Sequence, residues 1–240
     1  MSRIWIASIL LSLAASCAKR PVAPEEKPKA FGAALVSLSG EKQAAGVGAS
    51  LDQPLVVQVN NAQGAPVSGA LVRFTGAGGM TFQPDHGLTG PDGQFTANVT
   101  LGGMSGRYQI AATTLNPAGK LVQIHIDEVA LGYQAMLGEQ ISQTHCVRCH
   151  DSESTPERVS NHDNLEAMPH AFTEGAIFNP ISDANLVAII AHGGVALNKS
   201  AAMPPYGDTL SKADIDALVA YLRAVSDPPY GPQGVFYAGN

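Results

Sequence analysis

Two cysteines and a histidine stand together in Thr144-His145-Cys146-Val147-Arg148-Cys149-His150-Asp151. Cysteines separated by two residues can present both sulfurs on one side of a tight turn. A histidine directly after them continues the same turn. Those residue types at that spacing suit two thioether bonds to one edge of a haem, with a neutral imidazole nitrogen reaching the iron. The rivals are a redox dithiol and half of a zinc site. Zinc would need a second Cys or His pair at ligand spacing, and the chain holds only three cysteines. A reactive dithiol belongs after a strand and at the start of a helix in a βαβ unit. Here the motif closes a helical pattern, with no βαβ unit around it. The expected cofactor is one covalent haem c, attached through Cys146 and Cys149, with His150 as an axial ligand.

Covalent haem implies export, and the start of the chain fits it. Met1-Ser2-Arg3 gives a short positive beginning, residues 4–13 (IWIASILLSL) carry no charge, and Ala14-Ala15-Ser16 are small. The apolar run is shorter than the roughly 20 residues that span a bilayer. Cys17 follows at once. The arrangement resembles bacterial lipoprotein signal peptides, which implies removal of residues 1–16 and acylation of Cys17 as a membrane anchor. Acylation also removes a thiol that would form stray disulfides in an oxidising compartment. The alternative is an ordinary secretory signal followed by an unused thiol. Ala18 after the cysteine resembles outer-membrane sorting where two membranes exist, so the expected location is periplasmic or at the cell surface.

Three further segments follow. Residues 17–32 are rich in proline and charge without a hydrophobic period, and read as a lipid-anchored tether. Residues 33–130 alternate apolar and polar with period two. Leu55, Val57 and Val59 mark one strand, and Ala70, Val72 and Phe74 another. Phe95, Ala97 and Val99 follow, then Tyr108, Ile110 and Ala112, and finally Val122, Ile124 and Ile126. Turn chemistry separates them at Asn60-Asn61-Ala62-Gln63-Gly64, Pro91-Asp92-Gly93 and Asn116-Pro117-Ala118-Gly119-Lys120. Short strands at near-regular spacing predict a β-sandwich. The wording GAPVSGALVRFTG and GLTGPDGQFTANVTLGGMSGRYQIAAT resembles bacterial immunoglobulin-like domains of the invasin and intimin kind. That likeness implies a spacer or binding module without catalytic residues. His125 is expected to point away from the apolar face, and Asp85 and His86 to sit in a loop.

In residues 131–240 the pattern turns helical. Met136, Leu137, Gln140 and Ile141 fall on adjacent turns leading into Cys146. Residues 182–192 (SDANLVAIIAH) predict a middle helix stopped by Gly193-Gly194. A last helix opens at Ser211 with Asp214 in a capping box, and Ile215, Leu218, Val219 and Leu222 form its stripe. This plan resembles class I cytochromes c over residues 133–225. The expected fold is thus two-domain: an all-β immunoglobulin-like sandwich, then an all-α class I cytochrome c fold with a C-terminal tail.

The resemblance carries further implications. Ala202-Met203-Pro204-Pro205-Tyr206 matches the family's distal-methionine loop and implies Met203 as the second axial ligand; Met168, His162, His170 and His192 are the competitors. Gly138 and Tyr221 stand where the family crosses its first and last helices closely. A backbone carbonyl is expected on the free nitrogen of His150, with Pro156, Pro169 and Pro180 all open as neighbours.

The function implied is electron transfer, exchanging electrons with redox partner proteins, rather than enzymatic turnover. The alternatives are a haem sensor or peroxidase-like protein with a labile sixth ligand, or an adhesion and docking module. Acidic residues outnumber basic ones from Tyr133 onward, and the formal net charge of -6 argues against nucleic acid as a partner.

Overall fold

Alternation in the sequence becomes alternation in burial. In the computed structural model, which describes residues 26–150 and 165–231, Leu55, Val57 and Val59 are wholly buried, while the residues between them are half-exposed. The expected signal segment, Cys17, Pro156 and His162 lie outside the described residues. In chain order the strands are β1 (Ala34–Ser39), β2 (Ala44–Gly46), β3 (Leu55–Asn60), β4 (Leu71–Gly76), β5 (Thr81–Gln83), β6 (His86–Leu88), β7 (Gln94–Thr100), β8 (Gly106–Leu115) and β9 (Leu121–Leu131). They form two sheets, ordered β1-β3-β7-β5 and β2-β9-β8-β4-β6. All neighbours are antiparallel except β2 and β9, which run parallel.

One core joins the sheets. Leu35, Val57 and Phe95 from the first pack with Val72, Phe74, Ile110 and Ile126 from the second. The Phe74 ring stacks on Phe82 and on Phe95, each at 5.9 Å. Each wholly buried aliphatic side chain is worth about 1.5–3 kcal/mol, and no cysteine is present in these strands to add a crosslink. The β8–β9 hairpin turns where expected, with the Asn116 side chain accepting from the Ala118 and Lys120 amides. His125 is exposed as expected. His86 departs from expectation: it opens β6 and is half-buried, with Nδ1 2.7 Å from Asp85 Oδ1.

The end of β9 breaks the alternation. From Glu128 to Leu131 every residue is buried. One face of this stretch meets the sandwich core, and the other is covered by helices. Val129 and Leu131 pack with Ala135, Ala224 and Val225. Glu128 lies on the core side, wholly buried. Its Oε2 accepts from the Gln43 amide at 2.7 Å, and Oε1 has no partner among the described residues.

Only Gly132 separates β9 from α1 (Tyr133–His145). The helices that follow are α2 (Val147–His150), α3 (Gly175–Phe178), α4 (Asp183–His192) and α5 (Lys212–Val225), with a 3-10 turn at Gly194–Leu197. Of the residues read as the stripe of α1, Met136 and Ile141 are half-buried against neighbouring clusters, but they are not its most buried face. That face is Ala135, Gly138 and Ser142, while Leu137 is 37% exposed. The cause is the closeness of α5. A β-carbon at Gly138 would lie 2.0 Å from the Ala217 carbonyl oxygen and 2.8 Å from Tyr221 Cβ. The close approach inferred for Gly138 and Tyr221 is therefore present.

Both terminal signals of the later helices are realised. Ser182 caps α4 through the Asn185 amide, and Ser211 and Asp214 form a reciprocal capping box on α5. The middle of α5 is buried all round, including Arg223 at 1% exposure. Its guanidinium is satisfied by Asp183 Oδ1 at 2.8 and 2.9 Å and by the Phe178 carbonyl at 2.9 Å, with the Tyr230 ring 3.9 Å away. No helix among the described residues is long and apolar enough to cross a membrane.

Candidate functional site

The Cys-x-x-Cys-His segment is made by a helix that stops and restarts. The Cys146 amide donates to the Ser142 carbonyl, ending α1, and the Cys149 and His150 amides then both donate to the Cys146 carbonyl. One turn therefore separates the two thiols. Both are free, and both line a cleft of about 350 Å³ together with His150. The walls are mostly apolar, supplied by Phe172, Leu186, Ile190, Leu218 and Leu222 among others.

The His150 ring is held from two sides. Its Nδ1 lies 2.8 Å from the His170 carbonyl oxygen. A carbonyl can only accept, so Nδ1 carries the proton and Nε2 is the unprotonated nitrogen, the form able to bind a metal. Phe172 lies against the ring at 5.0 Å, tilted 31°. Among the three prolines considered, Pro169 is the one adjacent to the accepting carbonyl.

Met203 reaches the same cleft from the loop after α4. Gly193, at φ +80°, ends that helix, and the Gly194 amide donates to the Met203 carbonyl at 3.1 Å. A β-carbon at Gly193 would come within 2.9 Å of that carbonyl. The Tyr206 and Gly207 amides fasten the far side of the loop to the Ile190 and Ala191 carbonyls. The Tyr206 hydroxyl donates to the His145 carbonyl at 3.0 Å, tying the methionine loop to the cysteine turn. Sequence reasoning passed over Tyr206, although it directly follows the Met-Pro-Pro wording. His145 is half-buried beneath it.

The competitors separate on position. Met168 also lines the cleft, but it is 61% exposed and only two residues from the carbonyl that holds His150. His170 lines the cleft with its Nδ1 2.9 Å from Glu174 Oε2. His192 is exposed at the end of α4, away from the cleft lining.

The donor set fits haem better than the rivals. Burial pushes the Cys146 thiol up to about 11, with Cys149 adding to the shift, whereas a reactive dithiol needs a lowered value. No group of three or more His, Cys, Asp or Glu is gathered for a bare metal ion among the described residues. Paired thiols, an imidazole of fixed tautomer and a thioether facing one apolar cleft are what a covalently held porphyrin requires.

No curated protein matches the chain. Over 37–46% of its length the chain is weakly similar to several solved structures. The D00-D0 domain of intimin matches at 12% identity, with a TM-score of 0.32, over 46% of this chain and 52% of that one. The Yersinia pseudotuberculosis adhesin InvE matches at 13% identity and 0.32, over 42% and 33%. Invasin, titled a bacterial integrin-binding protein, matches at 18% and 0.30, over 43% and 20%. This chain spans about half or less of each of these three. Residues 134–222 match the family described as cytochrome C oxidase, cbb3-type, subunit III, so the helical part of the chain carries a cytochrome c domain.

Proposed function

We propose that the chain is an exported monohaem c-type cytochrome that carries electrons, anchored to a membrane by a lipid on Cys17. The observation that carries this reading is the single apolar cleft on which Cys146, Cys149, His150 and Met203 converge, with the His150 tautomer already fixed. Covalent haem supplies a one-electron iron couple when bound there. Cys146 and Cys149 would provide the thioethers, and His150 Nε2 and the Met203 sulfur would bind the iron. The pinned Met203 loop holds its sulfur with little freedom to reorganise, and a thioether raises the reduction potential relative to a second histidine. Filling both axial positions with side chains leaves none for a substrate, which favours a carrier over an enzyme. Its partners are redox proteins, and the β-rich domain is read as an immunoglobulin-like module.

Met203→Ala is expected to turn a low-spin spectrum high-spin and to lower the midpoint potential, while Met168→Ala leaves both unchanged. Visible spectra and potentiometry check this; the reverse pattern would move the axial role to Met168. Rapid stoichiometric binding of carbon monoxide by the unmutated reduced protein would replace the carrier with a gas-binding or peroxidase-like protein. Cys17→Ala is expected to move the protein from the membrane fraction to the soluble one on cell fractionation; persistence in the membrane would reject the anchor.

A further inference from the structure

The loop that gives its carbonyl to His150 is not held by the helical part alone. The Ala171 amide donates to Glu174 Oε1 at 2.7 Å, and His170 Nδ1 lies 2.9 Å from Glu174 Oε2. Glu174 thus clasps the chain on both sides of the accepting carbonyl. Its neighbours bond to Asp227: the Asp227 amide donates to the Thr173 carbonyl at 2.8 Å, and the Gly175 amide to the Asp227 carbonyl at 3.0 Å. The fit is tight, since a β-carbon at Gly175 would lie 2.3 Å from the Pro228 carbonyl oxygen.

From Asp227 the contacts cross into the sandwich. Lys42 Nζ lies 2.8 Å from Asp227 Oδ2, and the Arg107 guanidinium on β8 donates to the Ser226 carbonyl. Lys42 sits at φ +62°, a conformation uncommon for a residue with a side chain, and its amide donates to the Asp127 carbonyl at 3.1 Å. A second, apolar tie runs beside the first. Phe172, against the His150 ring, packs into the cluster that contains Val129 and Leu131 of β9.

We infer that the β-sandwich is a positioning element for the axial histidine. Residues 170–175 form a strap, bonded to Asp227 and packed through Phe172 on the end of β9, that sets the carbonyl and the aromatic ring against His150; Lys42 and Arg107 fasten it to the sandwich through Asp227 and Ser226. This rests on the assignment of His150 as an axial ligand. Lys42 and Arg107 act only through the strap. A firm carbonyl acceptor on Nδ1 makes the imidazole a stronger donor to its metal, which favours the oxidised state; a slack strap weakens that donation.

The test uses the full-length holoprotein with Lys42→Met and Arg107→Met, singly and together. The expected result is an upward shift of midpoint potential, larger in the double variant, with faster amide exchange at residues 170–175. Glu174→Ala should shift the potential the same way, and Lys42→Met should add little on top of it. Lys42→Arg should restore wild-type values. An exposed ion pair alone is weak, so the double variant carries the larger signal; if it does not fold, Lys42→Met alone decides. Unchanged potential and exchange in Lys42→Met would overturn the inference, as would full additivity with Glu174→Ala. Faster exchange in a protein that proves to hold no covalent haem would reject the proposed function and leave the strap standing.

Discussion

Gly138→Ala is expected to destabilise the helical domain by about 3 kcal/mol, lowering the melting temperature by roughly 10 °C. Alanine is normally the better helix former by about 1 kcal/mol, so the expected sign runs against propensity. The reason is the 2.0 Å separation between an added β-carbon and the Ala217 carbonyl oxygen, with the Ala217 carbonyl carbon at 2.5 Å. Those are backbone atoms of α5 and cannot swing aside as a side-chain tip would. Relief requires the two helices to part, and α5 is the element on which Ile215, Leu218, Val219 and Leu222 are buried. Gly103→Ala is the control, since nothing lies within 4 Å of its added β-carbon. A melt for Gly138→Ala at or above that of the unmutated protein would mean that α1 and α5 do not cross at this point.

Glu128→Gln is expected to stabilise the protein at neutral pH. Burial, followed by the nearby charges of Asp127 and Glu41, pushes this carboxyl from an ordinary 4.5 to about 8, and the Gln43 amide offsets only part of the rise. Between those values the folded chain binds a proton that the unfolded chain has released. Stability from this group is therefore full below pH 4.5 and falls by about 1.4 kcal/mol per pH unit as pH rises towards 8. At pH 7 the loss amounts to about 3 kcal/mol. Glutamine keeps an acceptor for the Gln43 amide and cannot ionise. Denaturant midpoints at pH 5 and pH 8 check this: the gap between variant and wild type should be small at the first and wide at the second. An equal gap at both pH values would mean that Glu128 stays ionised in the fold.

The sequence made some of this legible and hid the rest for physical reasons. The alternation of Leu55, Val57 and Val59 is a local property of a half-buried strand, so β3 could be read directly. The three-residue strands β2, β5 and β6 exist through their partners on β9, β7 and β4, and carry no period of their own. Cys146, Cys149 and His150 stand out in the sequence because the proposed covalent attachment would fix their spacing. The carbonyl of His170 is not, because every residue has one and only the fold chooses which to use. Met203 was readable from the wording around it, yet what holds it, the Gly194 amide and the Tyr206 hydroxyl, belongs to tertiary structure. Nothing in the wording around Glu128 marks it as buried. Only the strand pairing that turns it towards the sandwich core makes it so.

The last residues of β9 are clothed on one side by the first helix after them and by α5, the final helix of the described chain. Until α5 packs, Val129 and Leu131 stand bare on the end of the sandwich. A polypeptide stopped short of Lys212 would keep that greasy strip open to water and to its neighbours.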